Sequence, residues 1–572
     1  MNMNRIPLAC ALLIATASSA WAQTVPLSAE QSLRQEQERL RYEQERAKQP
    51  QLPSGVDLKA IQPAAPESAT KGPCSNIKTV QLVGANEMYA DEQGELVAPF
   101  SGQCLNAADI QRLMGEVTRH YIDRGFITTR AYLPEQDLRS GELRILVQEG
   151  RIEKIEVKGD EAGRINAAWA LPAQEGDLLN IRDLEQAVDQ INSAQGNKVT
   201  MDLVPGSKPG QTVVVFTNKA SSPVGLQVSV DNTGSSSTGK NSVNATVVTG
   251  GLLGANETIG LTMRRTVPHS REKSADSVSL AVSLPLGYST VGFNHAQSNY
   301  STGFLVDYPS GAVQSYARGS SVTSGITFDR ILARDQSSLH KAILGLSTAN
   351  SKNYFEQPQN NISQFLSSSS RRSTTVSAGI NSVWLLPDAL FTITPQLVMG
   401  VDDKSYLTGN TQSQREQPEF TKFIFDAYLQ KGFKLSQHDM AWGSAFKAQY
   451  SPNRLLSMHQ MIIGGQPSVR AYSDTSISGD SGYFWRNDIS LKKTFDVAGE
   501  SVKTRFYAGY DFGRVSSRSP GAIDGSLSGV VVGAAAQWNK FDLDISWTRS
   551  GSLPNGMERE SGRTLLRLNI RY

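Results

Sequence analysis

The chain has 572 residues, and 56 Lys and Arg stand against 54 Asp and Glu, a formal net charge of +2. This balance excludes the concentrated basic excess of a nucleic-acid-binding protein, so no nucleic-acid partner is expected. After the amino-terminal segment, no apolar run reaches the roughly 18 residues that a membrane-spanning helix needs. The length allows several domains.

Residues 1–22 have the features of a secretory signal peptide. Arg5 precedes a short apolar core, and Ala20-Trp21-Ala22 matches the small-x-small cleavage pattern. We therefore expect cleavage between Ala22 and Gln23, and export from the cytoplasm. The alternatives are a buried amino-terminal helix, or a lipoprotein anchored at Cys10, for which the preceding apolar stretch is too short.

Cleavage would leave two cysteines, Cys74 and Cys104. An even number of cysteines in an oxidising compartment predicts a disulfide, although two free buried thiols remain an alternative. Because no histidine lies close to the pair, the ligands of a tetrahedral zinc site are lacking. We expect neither a metal site nor a cofactor.

The segment 23–50 predicts a helix over residues 28–49 that is polar on nearly every side. Gln, Glu and Arg dominate it, and Leu33 and Leu40 lie seven residues apart. Such a helix has no core to pack against, so it is either solvated or enclosed in a wet cavity. Residues 51–73 contain four prolines and predict an extended linker.

Residues 74–150 and 151–221 predict two successive α+β units, which suggests a tandem module. Apolar residues at helical spacing follow Asn106 in the first unit and Asn180 in the second, and each asparagine is a suitable N-cap. Strands are expected in the first unit at 77–83, 126–133 and 143–147, and in the second near 152–157, 199–203 and 213–216.

From residue 222 to Tyr572, helical periodicity gives way to alternation of apolar and polar residues. A soluble sandwich and a transmembrane barrel both give this pattern. The barrel is favoured because the segment is about 350 residues long. In addition, each alternating run is close to the ten residues of a tilted membrane strand. The last run ends on an aromatic residue, Tyr572, and carries arginines on its other face, which fit a polar lumen.

The whole chain resembles the outer-membrane transporters of two-partner secretion, the TpsB family. In the first α+β unit, the resemblance rests on Cys74, Cys104 and the segments 121–126, 133–137 and 141–143. It implies a signal peptide, a plug helix at 23–50, a linker, two POTRA domains at 74–150 and 151–221, and a barrel of sixteen antiparallel strands at 222–572. Tyr572 would then be the carboxy-terminal barrel signal.

Two further motifs of this family are found in the barrel segment. Residues 467–472 (Pro-Ser-Val-Arg-Ala-Tyr), with Val469, Arg470 and Tyr472, resemble a Val-Arg-Gly-Tyr motif at the tip of a loop folded into the lumen. This chain has Ala471 where the family usually has glycine, and alanine adopts a positive φ less readily. Residues 510–513 (Tyr-Asp-Phe-Gly) resemble the strand motif whose aspartate meets the loop arginine.

The alternation around Asp511 supports the same pairing. Phe506 and Tyr510 share the face that suits lipid, so Asp511 points inward, and glycines two residues away on either side leave room for a guanidinium. A bidentate bond from Arg470 would then anchor the loop. The alternative is a solvated Arg470 and an unpartnered Asp511.

The resemblance implies an outer-membrane protein with its POTRA domains in the periplasm, which secretes one large exoprotein (an adhesin, haemolysin or contact-dependent toxin). Outer-membrane lipid and the barrel assembly machinery are the other partners expected. The sequence contains no Gly-x-x-x-x-Gly-Lys-Ser/Thr loop, no Gly-x-Ser-x-Gly and no His-Glu-x-x-His, so we expect no catalytic residues and no enzyme. The alternatives are an insertase of the same superfamily and, less favoured, a passive porin.

Overall fold

A computed structural model describes residues 72–308, 311–359, 362–408, 419–497, 499–519 and 522–572. The signal peptide with its cleavage site at Ala22 and Gln23, the plug helix and nearly all of the linker lie outside the described residues.

The first α+β unit packs two helices on small sheets. Its elements are β1 (Ser75–Ile77), β2 (Thr79–Val83), α1 (Ala90–Val97), β3 (Gln103–Leu105), α2 (Ala107–Asp123), β4 (Arg130–Tyr132) and β5 (Glu142–Gln148). Strands β2, β5 and β4 form one sheet and β1 pairs with β3. The Asn106 side chain accepts hydrogen bonds from the backbone N–H groups of Ala108 and Asp109 and so caps α2, as its position predicts.

The strand expected at 126–133 is wrong in extent, since only Arg130–Tyr132 is a strand. The chain turns after α2 because Gly125 has φ 96° and the Phe126 N–H bonds to the Tyr121 carbonyl. The Thr129 N–H then bonds to the Phe126 carbonyl, which continues the turn. The apolar run at this point therefore covers core positions in a turn rather than along a strand.

The second unit repeats this plan around a larger core. Its elements are β6 (Arg151–Gly159), α3 (Ala167–Ala170), α4 (Ile181–Asn192), β7 (Val199–Pro205) and β8 (Gln211–Asn218), and the sheet order is β6-β8-β7. Leu184, Ala187 and Ile191 on one face of α4 are completely buried. Ile122 and Ile127 of the first unit belong to the same apolar cluster, so the two units share part of their core.

The remaining chain closes into a barrel of sixteen antiparallel strands, which confirms the predicted fold class. The strands of the wall are β9 (Val224–Asp231), β10 (Ser242–Gly250), β11 (Thr258–Thr266), β12 (Lys273–Leu286), β13 (Ser289–Tyr308), β14 (Gly311–Arg334), β15 (Ser338–Gln359), β16 (Ile362–Leu386), β17 (Ala389–Thr408), β18 (Phe420–Leu435), β19 (His438–Tyr450), β22 (Ser481–Val497), β23 (Glu500–Ser516), β24 (Gly525–Trp538), β25 (Phe541–Ser550) and β26 (Arg563–Arg571). A short hairpin of β20 (Met461–Ile463) and β21 (Ile477–Gly479) lies between β19 and β22. The barrel closes where Arg567–Arg571 of β26 pairs with Gln227–Asp231 of β9.

The outer surface of the wall carries an apolar belt. In one row of neighbouring strands, five apolar side chains stand in register and are 37% to 52% exposed: Phe293, Ile326, Leu346, Val376 and Met399. Burying them in hydrocarbon removes this surface from water, whereas the opposite face of the strands lines a polar lumen. Among the helices described, none is both long and apolar enough to cross a bilayer.

Candidate functional site

Residues 451–480, here called the lumen loop, connect β19 to β22 and fold back against the inside of the wall. The β20–β21 hairpin and the tip of the loop bury an apolar cluster against β23 and β24, formed by Met461, Ile463, Val469, Ala471, Tyr472, Ile477, Val515 and Leu527. Val469 and Tyr472 are completely buried. The alternating strands place mostly polar groups on the lumen face. An apolar cluster on that face therefore fixes where the loop packs against the wall.

Arg470 at the tip of this loop is bound to Asp511 on β23. Its Nε donates to Asp511 Oδ2 at 2.8 Å and its Nη2 donates to Oδ1 at 2.6 Å, which is a bidentate pair. The Arg470 backbone N–H also donates to Asp511 Oδ2 at 2.9 Å. Arg470 is 8% exposed and Asp511 is 1% exposed, so water hardly competes for these bonds.

A second carboxylate, Asp488 on β22, binds the other side of the same guanidinium. Arg470 Nη2 donates to Asp488 Oδ1 at 2.7 Å, and Nη1 donates to Oδ2 at 3.2 Å. Arg486 Nε lies 4.0 Å from Asp511 Oδ1, so the cluster holds two cations and two anions. Sequence reasoning had no role for Asp488, although its inward position on an alternating strand beside Asp511 was the available signal.

Two glycines of the wall make space for the tip of the loop. A Cβ at Gly509 would lie 2.1 Å from Asp488 Oδ1 and 2.7 Å from Arg470 Nη2, and a Cβ at Gly529 would lie 2.2 Å from the Ala471 Cβ. Ala471 is not among the residues with positive φ, so the expected difficulty for alanine does not arise here. The methyl group of Ala471 is accommodated because the facing residue on β24 is glycine.

The second α+β unit is docked on the turns at one end of the barrel. Gln186 and Gln190 of α4 donate to the Gly287 carbonyl at 3.1 and 2.9 Å, and the Tyr288 hydroxyl donates to Asp183. Burial raises the pKa of the Asp183 carboxyl.

An ionic contact strengthens this junction. The side chain of Arg334, at the end of β14, is only 2% exposed, and its Nη2 lies 2.6 Å from Asp189 Oδ2. Its Nη1 donates to Gln186 Oε1 at 2.8 Å. The second α+β unit therefore covers one end of the barrel, and the loops at the other end, here called the outer loops, lie away from it.

The remaining residues selected from the sequence lie apart from this site. Cys74 and Cys104 form a disulfide in the first α+β unit, beside the β1–β3 pair. Tyr572 follows β26 at the rim next to the second α+β unit, is 82% exposed, and exchanges backbone hydrogen bonds with Leu226. No group of three or more potential metal ligands occurs within the described ranges.

Comparison with known proteins agrees with this architecture. A family model described as "Haemolysin secretion/activation protein ShlB/FhaC/HecB" matches residues 210–536, a ShlB-type POTRA domain matches 75–150 and a further POTRA domain matches 151–205.

Individual relatives match along most of their length. The chain is 31% identical to the outer membrane transporter CdiB of Dickeya dadantii over 85% of each chain. It is 27% identical to the hemolysin transporter protein ShlB of Serratia marcescens over 86% of this chain and 85% of that protein. The solved structure of CdiB from Escherichia coli superposes with a TM-score of 0.81 at 27% identity, covering 96% of this chain and all of the other.

Proposed function

The chain belongs to the haemolysin secretion/activation family of outer-membrane transporters, and we propose that it moves one large exoprotein from the periplasm through its barrel to the cell surface. In this scheme the protein resides in the outer membrane with its two POTRA domains in the periplasm. The family is one of secretion transporters, which favours secretion over membrane-protein insertion.

One observation above all supports a gated pore. A loop of the barrel lies inside the lumen and its tip arginine is bonded to two carboxylates of the wall, Asp511 and Asp488. A group held by several buried charge-assisted bonds stays in one position until something competes for them. We propose that the lumen loop is a closing element, that Arg470 anchors it, and that Val469, Ala471 and Tyr472 pack its tip.

The POTRA domains supply the proposed entry route. Each sheet has edge strands, β2 and β4 in the first domain and β6 and β7 in the second, and an unfolded chain can add a strand to such an edge. The contacts of α4 with the barrel turns hold the second domain close to the pore entrance. Folding of the exoprotein outside the cell would supply the drive.

We propose that the exoprotein is an adhesin, a haemolysin or a contact-dependent toxin, the three classes that the resemblance implies. The other proposed partners are the outer-membrane lipid around the apolar belt and the assembly machinery that inserts barrels. The proposal also divides the chain into a signal peptide (1–22), a plug helix (23–50), a linker (51–73), two POTRA domains (74–150 and 151–221) and a barrel (222–572).

A deletion of the gene in its native host tests the proposal. The secreted and outer-membrane proteomes are compared with those of a complemented strain. We expect one very large protein to disappear from the surface and the medium while other barrels stay at normal levels. Broad depletion of many barrels would instead support an insertase and contradict secretion.

A further inference from the structure

The lumen loop has a second attachment, at the outer end of the barrel. The carboxylate of Glu560, in the loop between β25 and β26, accepts hydrogen bonds from three consecutive backbone N–H groups of the lumen loop. The distances are 2.9 Å from Ser473, 3.0 Å from Asp474 and 2.6 Å from Thr475. Successive N–H groups that converge on one carboxylate form an anion-binding nest, and such charge-assisted bonds are stronger than neutral ones.

Neighbouring contacts tie the same stretch to two outer loops. The Tyr472 hydroxyl donates to the Ser552 carbonyl at 2.7 Å, in the loop that also carries Glu560. The Asp474 carboxylate accepts from Ser235 Oγ at 3.0 Å and from the Ser236 N–H, both in the loop between β9 and β10. The lumen loop is thus connected to the outer hairpins on both sides of the β26–β9 closure.

The two attachments differ in their access to water. Arg470 and Asp511 are buried within the lumen, whereas Glu560 is partly exposed and Asp474 is exposed at the outer end. Bonds that water can reach exchange more readily than buried ones. The outer attachment is therefore the one that a chain emerging at the cell surface can reach.

We propose that residues 551–562 form an outer clamp and that Glu560 is the positioning residue by which the clamp holds the lumen loop closed from the cell-surface side. This rests on the proposed function, in which the lumen loop closes the pore. Glu560 acts through the backbone of residues 473–475 and independently of Arg470. Loss of the clamp frees the outer part of the loop while the inner anchor remains.

Channel recordings of the purified full-length protein in planar bilayers test the clamp. Glu560→Ala is expected to raise the fraction of time open by about tenfold, because a few charge-assisted bonds are lost. Glu560→Gln, which keeps an acceptor but loses the charge, should give an intermediate value. Glu558→Ala is the matched control, since Glu558 is exposed on the same loop and makes no hydrogen bond to the lumen loop in the described residues.

Arg470→Ala, recorded in parallel, separates the two proposals. If Arg470→Ala opens the pore and Glu560→Ala behaves like Glu558→Ala, the clamp is overturned and the closing role of the loop stands. If neither Arg470→Ala nor Glu560→Ala changes the recordings, the closing role itself is wrong. Heat-modifiable mobility in gels, which reports a folded barrel, should stay unchanged in all variants.

A reversible cross-link tests the clamp in the opposite direction and does not depend on the folding of Glu560→Ala. The double variant Asp474→Cys/Glu560→Cys, joined by a short reducible thiol cross-linker that replaces the span of the Glu560 side chain, should open less often than the same variant before cross-linking, and a reductant should reverse this. Each single-cysteine variant controls for the effect of the reductant on the Cys74–Cys104 disulfide. Unchanged opening of the cross-linked protein would contradict the clamp.

Discussion

Arg470 occupies the space that a side chain at position 509 would fill. A Cβ on Gly509 would come within 2.7 Å of Arg470 Nη2 and within 2.1 Å of the Asp488 carboxylate. The strand that carries Asp511 thus provides both the acceptor for the loop arginine and the cavity that admits it. This relationship gives a direct test of the inner anchor that alters none of the charged residues.

Gly509→Ala should weaken the inner anchor, because the added methyl group displaces Arg470 or Asp488 from its hydrogen-bonded position. We expect more frequent pore opening in planar bilayers and lower secretion. Gly443→Ala, on β19, is the control because a Cβ there meets no atom within 4 Å. Equal behaviour of the two variants would show that the close contact at Gly509 is unimportant.

Although Arg470→Lys is a conservative change, it should reduce secretion nearly as much as Arg470→Ala does. Lysine keeps the positive charge but cannot make the bidentate bond to Asp511 and the pair of bonds to Asp488 at once. Secretion of the exoprotein, measured in culture medium, should fall severalfold while the barrel remains in the outer membrane. Wild-type secretion by Arg470→Lys would mean that charge alone suffices.

Arg334→Gln should loosen the second POTRA domain from the barrel. The change removes the cation that lies 2.6 Å from Asp189 Oδ2 and 3.8 Å from Glu185 Oε2, while Glu185 keeps its ion pair with Arg182. Hydrogen exchange of the α4 amides should therefore become faster, and Lys503→Gln at the exposed rim serves as control. Unchanged exchange would show that Gln186 and Gln190 hold α4 without the ion pair.

The stability of the same junction should depend on pH through Asp183. Burial raises the pKa of this carboxyl in the folded protein, so folding favours its protonated form. The associated stabilisation is complete below the ordinary pKa and is lost as the pH rises through the raised value. Asp183→Asn should therefore melt at a higher temperature than the unaltered protein at pH 7, and this difference should shrink toward pH 3.

Melting curves across this pH range, with Asp202→Asn on exposed β7 as control, check the prediction for Asp183. A constant difference between pH 3 and pH 7 would contradict it. Because the Tyr288 hydroxyl can still donate to an asparagine oxygen, the hydrogen bond itself is not the variable under test.

Removal of the disulfide should destabilise the first POTRA domain. The Cys74–Cys104 bond spans 30 residues of chain, and closure of such a loop is worth roughly 3–4 kcal/mol in the chain-entropy account. Cys104→Ser should increase protease cleavage within residues 75–150 and leave the barrel heat-modifiable. Unchanged protease resistance would show that the core around Leu113 and Ile145 suffices alone.

The sequence predicted the fold well because its signals are local and periodic. Alternation over ten or more residues gave the barrel, and the asparagine caps with helical spacing gave α2 and α4. The strand expected at 126–133 failed because apolar residues in a buried turn resemble a strand when only the sequence is read. The turn depends on Gly125 and on bonds back to α2.

The site was predictable only where two motifs of the resembled family imply each other's partner. Arg470 and Asp511 came from paired motifs, whereas Asp488 and Glu560 contact the loop through barrel geometry that brings distant residues together. The docking of α4 on the Gly287 turn depends likewise on how two domains meet. The periodic patterns of the sequence do not indicate which residues of distant segments make those contacts.

The central claim is that the exoprotein passes through the barrel lumen, and photo-cross-linking from two adjacent positions tests it most directly. A photoreactive residue is placed at Asn381, which bonds to Thr394 on the lumen side of β16, or at Ile380, which is 47% exposed on the lipid side. Secretion is then arrested by a tightly folded domain fused to the end of the exoprotein. We predict cross-links to the exoprotein from position 381 and none from position 380. Cross-links from position 380 alone, or from neither position, would contradict transport through the lumen.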